Sequence, residues 1–312
     1  MALRIVFCGT PAFAVPSLRH LIAQPDFQVE AVVTQPDRPR GRGQETAASP
    51  VKEAALAAGI RVFQPEKIRG EETVEFFRSL APDAVAIIAY GQIISQRLID
   101  IPRLGWVNLH ASLLPKYRGA APINWAIVNG ETRTGVTTMR IDAGLDTGPM
   151  LLKYETEIGA DETAPELTLR LAEAGAPLMA ETLRGLDRGG VQAIAQDSSQ
   201  ASFAPQLKKE DGRIDWPLDA DKIYDRIRGL QPWPGAFTGF RGKSCHIWGK
   251  PGPAGESAAP GAIRVSGAQI LAACGNGTTL RVEFVQVEGR KRVTAQEFAN
   301  GARLAPGERF GG

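Results

Sequence analysis

The segment Val107–Gly119, VNLHASLLPKYRG, begins as an apolar strand and ends as a loop of apolar and basic residues. Its strand reaches back to Trp106 (WVNLH). Three more short apolar runs read the same way: RIVFC at 4–8, VEAVVT at 29–34 and AVAIIAY at 84–90. Helical segments lie between them, such as PSLRHLIAQ and SPVKEAALAAG, the latter with Ser49 placed as N-cap and Pro50 in the first turn. In EETVEFFRSLA, Val74, Phe77 and Leu80 recur about one turn apart, the pattern of a core-facing stripe. Strands alternating with helices predict an α/β fold with a mostly parallel sheet covered on both faces. Such sheets take ligands at the carboxyl ends of their strands. The transitions VNLH to ASLLP and AIIAY to GQ are two such ends.

From about residue 190 the texture changes. DSSQASFAPQLKKEDG is polar with little periodicity and reads as an interdomain linker. After one helix (ADKIYDRIRGL), short β-rich pieces follow: GAFTGF, SCHIWG, GAIRVSG, QILAAC and TLRVEFVQV. Their close spacing predicts a small barrel or sandwich. The expected organisation is a catalytic domain over 1–190, a linker over 191–207 and a β-rich domain over 208–312.

The chain's 312 residues, 43% hydrophobic and 22% charged, have the composition of a soluble globular protein. There is no apolar run of membrane-spanning length and no signal or transit leader, so a cytoplasmic location is expected. Cys8, Cys245 and Cys274 are scattered without a CxxC pair, which suggests neither a disulfide framework nor a zinc knuckle. Residues 208–312 carry 16 Lys and Arg against 11 Asp and Glu; residues 1–207 carry 20 against 23. A basic C-terminal part is compatible with a polyanion partner.

In a strand, residues i and i+2 share a face, about 6.5–7 Å apart. Asn108 and His110 therefore project together near the sheet's carboxyl edge. An imidazole can relay protons near neutral pH, and an amide NH2 can donate to an oxygen gaining negative charge. The same pair also reads as a core histidine beside a turn-capping asparagine. Downstream, IDAGLDTGP (141–149) sets Asp142 and Asp146 in a Gly-rich loop. Asp and Gly are ordinary turn formers, yet a loop carboxylate is the group an imidazole would need to fix or stabilise it. No GxSxG elbow and no metal-ligand spacing occurs, so direct attack by a substrate nucleophile remains. Finally, TQPDRPRGRGQETAASP (34–50) places Arg38, Arg40 and Arg42 among Pro and Gly, and by composition alone it reads as a solvated turn.

Taken together, FCGTPAFAVPSL (7–18), TQPDRPRGRG (34–43), NLHASLLPKYRGAAPI (108–123), IDAGLDTGPM (141–150) and KEDGRIDW (209–216) closely resemble the methionyl-tRNA formyltransferase family of folate-dependent formyltransferases. The resemblance implies a Rossmann-like formyltransferase domain followed by a small OB-like barrel that binds tRNA. It implies 10-formyltetrahydrofolate as co-substrate without a metal, and initiator methionyl-tRNA as acceptor. Asn108, His110 and Asp146 match the family's catalytic trio, and Ser112, Leu113, Leu114 and Pro115 its folate-binding loop. Arg38, Arg40 and Arg42 fall in the loop that engages the tRNA acceptor end, with Arg42 the leading contact. Gln44-Glu45-Thr46 departs from the lysines common there and lowers the local positive charge. A monomer is expected. The rival readings are a formyltransferase for a sugar nucleotide or a purine precursor, a formyl-folate hydrolase, a nicotinamide-dependent dehydrogenase and a non-catalytic nucleic-acid-binding module. GTPAFAVP in place of GxGxxG argues against the dehydrogenase.

Overall fold

The computed structural model describes residues 2–40, 45–254, 258–267 and 269–311. The first strand, β1 (Leu3–Gly9), leads through helix α1 (Val15–Ala23) to β2 (Phe27–Val33). A short hairpin follows, β3 (Arg38–Arg40) and β4 (Glu45–Ala47), then α2 (Pro50–Ala57) and β5 (Val62–Phe63). Ser49 caps α2 as its sequence predicts, accepting from Lys52 N at 3.1 Å. Helix α3 (Glu71–Leu80), β6 (Ala84–Ile88), α4 (Gln96–Ile99) and β7 (Trp106–His110) complete the parallel part. Then come α5 (Pro122–Val128), β8 (Arg133–Arg140), β9 (Met150–Glu157) and the long helix α6 (Ala164–Asp187).

The strands form one sheet in the order β5-β2-β1-β6-β7-β8-β9. Pairings from β5 through β7 are parallel, and β8 and β9 add antiparallel strands to one edge. The chain steps from β1 outward to β2 and β5, then returns to place β6 on the other side of β1. That reversal opens a crevice at the strands' carboxyl ends, where open α/β sheets bind ligands. A cleft of about 390 Å³ lies there, lined among others by Thr10, Gln35, Asp37, Arg38, Tyr90 and Gly91. Val74 and Phe77 of α3 are buried as their spacing predicts, packed with Val6, Cys8, Val85 and Trp106. Burial pushes the Cys8 thiol well above its ordinary pKa, so it is core filler and not a nucleophile.

Two compact units result: Met1–Pro122, Arg133–Glu157 and Thr168–Pro205 in one, Ile123–Thr132, Ile158–Leu167 and Gln206–Gly312 in the other. Residues expected as a linker from 191 onward are bonded into the first unit. Ile194 exchanges two backbone hydrogen bonds of 2.8 Å with Met150, and Arg118 pairs with Ser202 and Ala204.

The second unit carries α7 (Ala220–Gly229), β10 (Phe237–Phe240), β11 (Lys243–Pro251), β12 (Ile263–Ser266), β13 (Gln269–Ala273), β14 (Thr279–Val287), β15 (Val293–Thr294) and α8 (Ala295–Ala302). Its sheet is antiparallel, ordered β10-β11-β14-β13-β12 with β15 on β14, and it encloses Trp216, Ile223, Ile247, Val285 and Phe310. Among the described residues, no helix is long and apolar enough to cross a membrane, and no cluster of His, Cys, Asp or Glu could hold a metal ion.

Candidate active site

The period-two pleat puts Trp106, Asn108 and His110 on one face of β7. Trp106 is buried and donates from its indole N–H to Leu98 O at 2.8 Å, which fixes the start of the row. On the opposite face Leu109 meets α6 closely: a Cβ on Gly175 would fall 2.4 Å from Leu109 Cδ2. The back of β7 is thus filled, and its polar pair can only face forward. His110, at the strand's end, is 6% exposed. Asn108 is half-buried, and its carboxamide has no hydrogen-bond partner among the described residues. A free amide beside a buried imidazole suits a ligand oxygen.

The loop after β7 is pinned from several sides. Thr137, opposite His110 in the β7–β8 register, is fully buried. Its hydroxyl donates to Ser112 O at 2.7 Å and accepts from Leu114 N at 3.2 Å. The Ser112 hydroxyl closes the loop onto Lys116 O at 2.6 Å. Lys153 on β9 brings its ammonium to Leu114 O at 2.6 Å, and desolvation there lowers its pKa from the ordinary lysine value. Ser112 and Leu114 are buried, whereas Leu113 and Pro115 keep partial exposure. Of the four residues matched to a folate loop, two therefore build it and two can face a ligand. Past them the backbone turns sharply, with Tyr117 at φ 61° and Gly119 at φ 124°. A Cβ on Gly119 would stand 2.6 Å from Ala204 O, so only glycine fits.

The two aspartates of 141–149 separate cleanly. Asp142 turns into its own loop, accepting from Gly144 N at 3.0 Å and from the Thr147 hydroxyl at 2.8 Å. Asp146 adopts φ 51°, a left-handed conformation that Asp tolerates. Its side chain leaves the loop, accepts from Gly119 N at 2.9 Å and stands 3.6 Å from His110 Nδ1. The structure therefore brings Asp146 to His110, across 36 residues of chain, and leaves Asp142 as a turn former.

One histidine contact decides the chemistry. Nε2 lies 2.8 Å from Tyr117 O, which can only accept, so Nε2 carries a proton. Only Nδ1 is then free to act, and it faces the Asp146 carboxylate. The 3.6 Å gap exceeds a hydrogen bond, as unliganded catalytic pairs often do. An Nδ1 lone pair would oppose the carboxylate oxygen Oδ2, so the gap is suited to hold or pass a proton.

The arginine loop is described in part. Arg38 is exposed and lines the cleft, Arg40 pairs in backbone register with Glu45, and Arg42 lies outside the described residues. Sequence reasoning missed Thr137, Lys153 and Gln196, which hold the site through backbone atoms. Neither motif nor spacing marks them, and only the β-pairing of Thr137 with His110 would have raised one of them.

The formyl transferase family profile matches residues 3–183, and the formyl transferase C-terminal domain profile matches 206–303. The chain belongs to the formyl transferase family. A methionyl-tRNA formyltransferase of Solibacter usitatus (strain Ellin6076) is 59% identical to this formyl transferase over 310 residues, covering 99% of both chains. One of Acidobacterium capsulatum is 53% identical over 313 residues, covering 99% of this chain and all of the relative. Among solved structures, WlaRD, a sugar 3N-formyl transferase crystallised with dTDP and 5-N-formyl-THF, superposes with a TM-score of 0.65. It shares 18% identity and covers 93% of this chain and 100% of its own, a likeness of fold alone.

Proposed function

We propose that this formyl transferase moves the formyl group of 10-formyltetrahydrofolate to the α-amino group of methionine on initiator methionyl-tRNA. The observation that carries the chemistry is the juxtaposition at the end of β7: the Asn108 amide on the same face as an imidazole whose Nδ1 is 3.6 Å from Asp146. The residues present fit a folate co-substrate. Leu113 and Pro115 offer apolar surface from a loop held by Thr137 and Lys153, beside the polar pair.

The neutral methionyl amine attacks the formyl carbon; a C–N bond forms and the carbonyl pair moves onto oxygen. Asn108 donates an N–H to that oxyanion, a role worth about 2.7–4 kcal/mol in comparable sites. The new ammonium gives up one proton to the His110–Asp146 pair. The pair returns one proton to N10 of the folate, the oxyanion's electron pair re-forms the C=O bond, and the C–N10 bond breaks with its electrons on that nitrogen. Relays of this kind contribute roughly 10²–10⁴ in rate. Because Nε2 is committed to Tyr117 O, His110 acts through Nδ1.

Arg38, Arg40 and Arg42 are read as contacts to the tRNA acceptor end, and residues 208–312 as a basic tRNA-binding domain. The protein is read as a cytoplasmic monomer. The test is incubation with 10-formyltetrahydrofolate and charged initiator or elongator methionyl-tRNA. Formyl-methionine on the initiator species alone is expected. No formyl-methionine on either would overturn the proposal.

A further inference from the structure

Gln196 is half-buried in the stretch AIAQDSSQ, and every polar atom of its amide is engaged. Its Nε2 donates to two carbonyls of the aspartate loop, Asp146 O and Gly148 O, both at 2.8 Å. Its Oε1 accepts from Arg118 Nε at 3.0 Å and Nη2 at 2.8 Å. The guanidinium has no acceptor atoms, so the amide orientation is fixed by its neighbours. Arg118 is itself buried and sits between Tyr117, whose carbonyl accepts from His110, and Gly119, whose N–H meets Asp146. One side chain therefore ties together the two loops that set the His110–Asp146 distance. Gly148 adds to the constraint: a Cβ there would fall 1.9 Å from Arg140 O, so the loop cannot be displaced toward β8.

We infer that Gln196 is a positioning residue for formyl transfer, holding Asp146 in its left-handed conformation opposite His110 Nδ1 through the Arg118–Gln196–Asp146 chain. It touches no reacting atom. The inference rests on Asp146 being the carboxylate of the relay. Losing the two amide donors frees the Asp146 backbone, and misplacement near 1 Å costs about 10²-fold in rate.

The experiment compares Gln196→Glu, Gln196→Leu, Asp146→Asn and the Gln196→Glu/Asp146→Asn double variant, with the thermal midpoint of each recorded. Gln196→Glu keeps an acceptor for Arg118 while opposing a carboxylate to two carbonyls, so it guards against a failure to fold in Gln196→Leu. Gln196→Glu is expected to lower kcat about 10²-fold, with the KM for 10-formyltetrahydrofolate within about threefold of wild type. In the Asp146→Asn background the same change should cost less than about threefold more, because the group it positions is already gone. Independent, multiplying losses would mark Gln196 as merely structural and overturn the inference, as would a near-normal kcat in folded Gln196→Glu. Near-normal turnover in Asp146→Asn would instead sink the relay itself.

Discussion

The loop that leaves β2 and the loop that leaves β7 both start at the carboxyl ends of the parallel strands of one mixed sheet. The first is tied at its feet. Gln35 donates to Tyr90 O at 2.7 Å, Gln64 donates to Gln35 O at 2.9 Å and to Asp37 at 2.8 Å, and Lys52 pairs with Asp37. Past Asp37 its described backbone pairs across its own hairpin, Arg38 with Ala47 and Arg40 with Glu45. The second is held along its whole course by residues remote in sequence: Thr137, Lys153, Asp146, Ser202 and Ala204. The difference matches the two tasks proposed for them. A reacting carbon requires side chains fixed to within a fraction of an ångström. Arginines that meet a polyanion work through charge and need only a secure base.

The sharpest way to break this contrast lies within IDAGLDTGP. Asp146→Asn removes the relay's carboxylate and should lower kcat roughly 10²–10⁴-fold in a steady-state formylation assay. Asp142→Asn disturbs only a turn; kcat should stay within about threefold, with a thermal midpoint lower by about 2–4 °C. Equal losses would mean that the loop acts as a whole.

On the recognition side, Arg42→Ala should raise the KM for methionyl-tRNA roughly tenfold and flatten the salt dependence of log KM by about one unit of slope. The KM for the folate should not move. A change in both would place Arg42 in the catalytic framework.

Lys153→Met withdraws the donor from Leu114 O. Because Lys153 is largely exposed, the expected rise in folate KM is modest, roughly three- to fivefold, with kcat nearly intact. A kcat loss without a KM change would show that the folate loop and the relay are not separable.

The smallest effect concerns the foot of the first loop. The hydrogen bonds from Lys52 and then Gln64 hold Asp37 below the ordinary carboxylate pKa. Its stabilising pairing is therefore complete above the unfolded value, near 3.9, and fades as pH falls through the lowered folded value. Asp37→Asn should lower the thermal midpoint by about 1–2 °C at pH 7, and the gap should begin to narrow below about pH 4 and close as pH falls through the lowered folded value. A gap that persists in acid would assign the loss to packing.

Much of this was legible in the sequence because apolar runs mark β1, β2, β6 and β7, and period two alone sets Asn108 beside His110. Strand β8 hides: it buries Thr137 and Thr138, whose hydroxyls bond to Ser112 O and Thr182, so its interior face reads as polar. Residues 191–205 hide for a related reason. Their backbone pairs with Met150 and Arg118, but their apolar residues follow no period and Ile194 and Phe203 stay exposed, so the stretch reads as a linker. Asp146 was distinguishable from Asp142 only by the family resemblance. What separates them physically is a positive φ and a glycine N–H 27 residues upstream, neither of which a local pattern encodes.

The role of His110 is tested most directly by single-turnover formylation with His110→Gln at saturating folate and methionyl-tRNA. A glutamine amide can still donate to Tyr117 O, so the loop stays anchored while the proton-carrying Nδ1 disappears. A chemical step slower by roughly 10²–10⁴-fold, with tRNA and folate still bound, is expected. A step within about threefold of the wild-type rate would contradict the assignment of formyl transfer to this corner of the sheet.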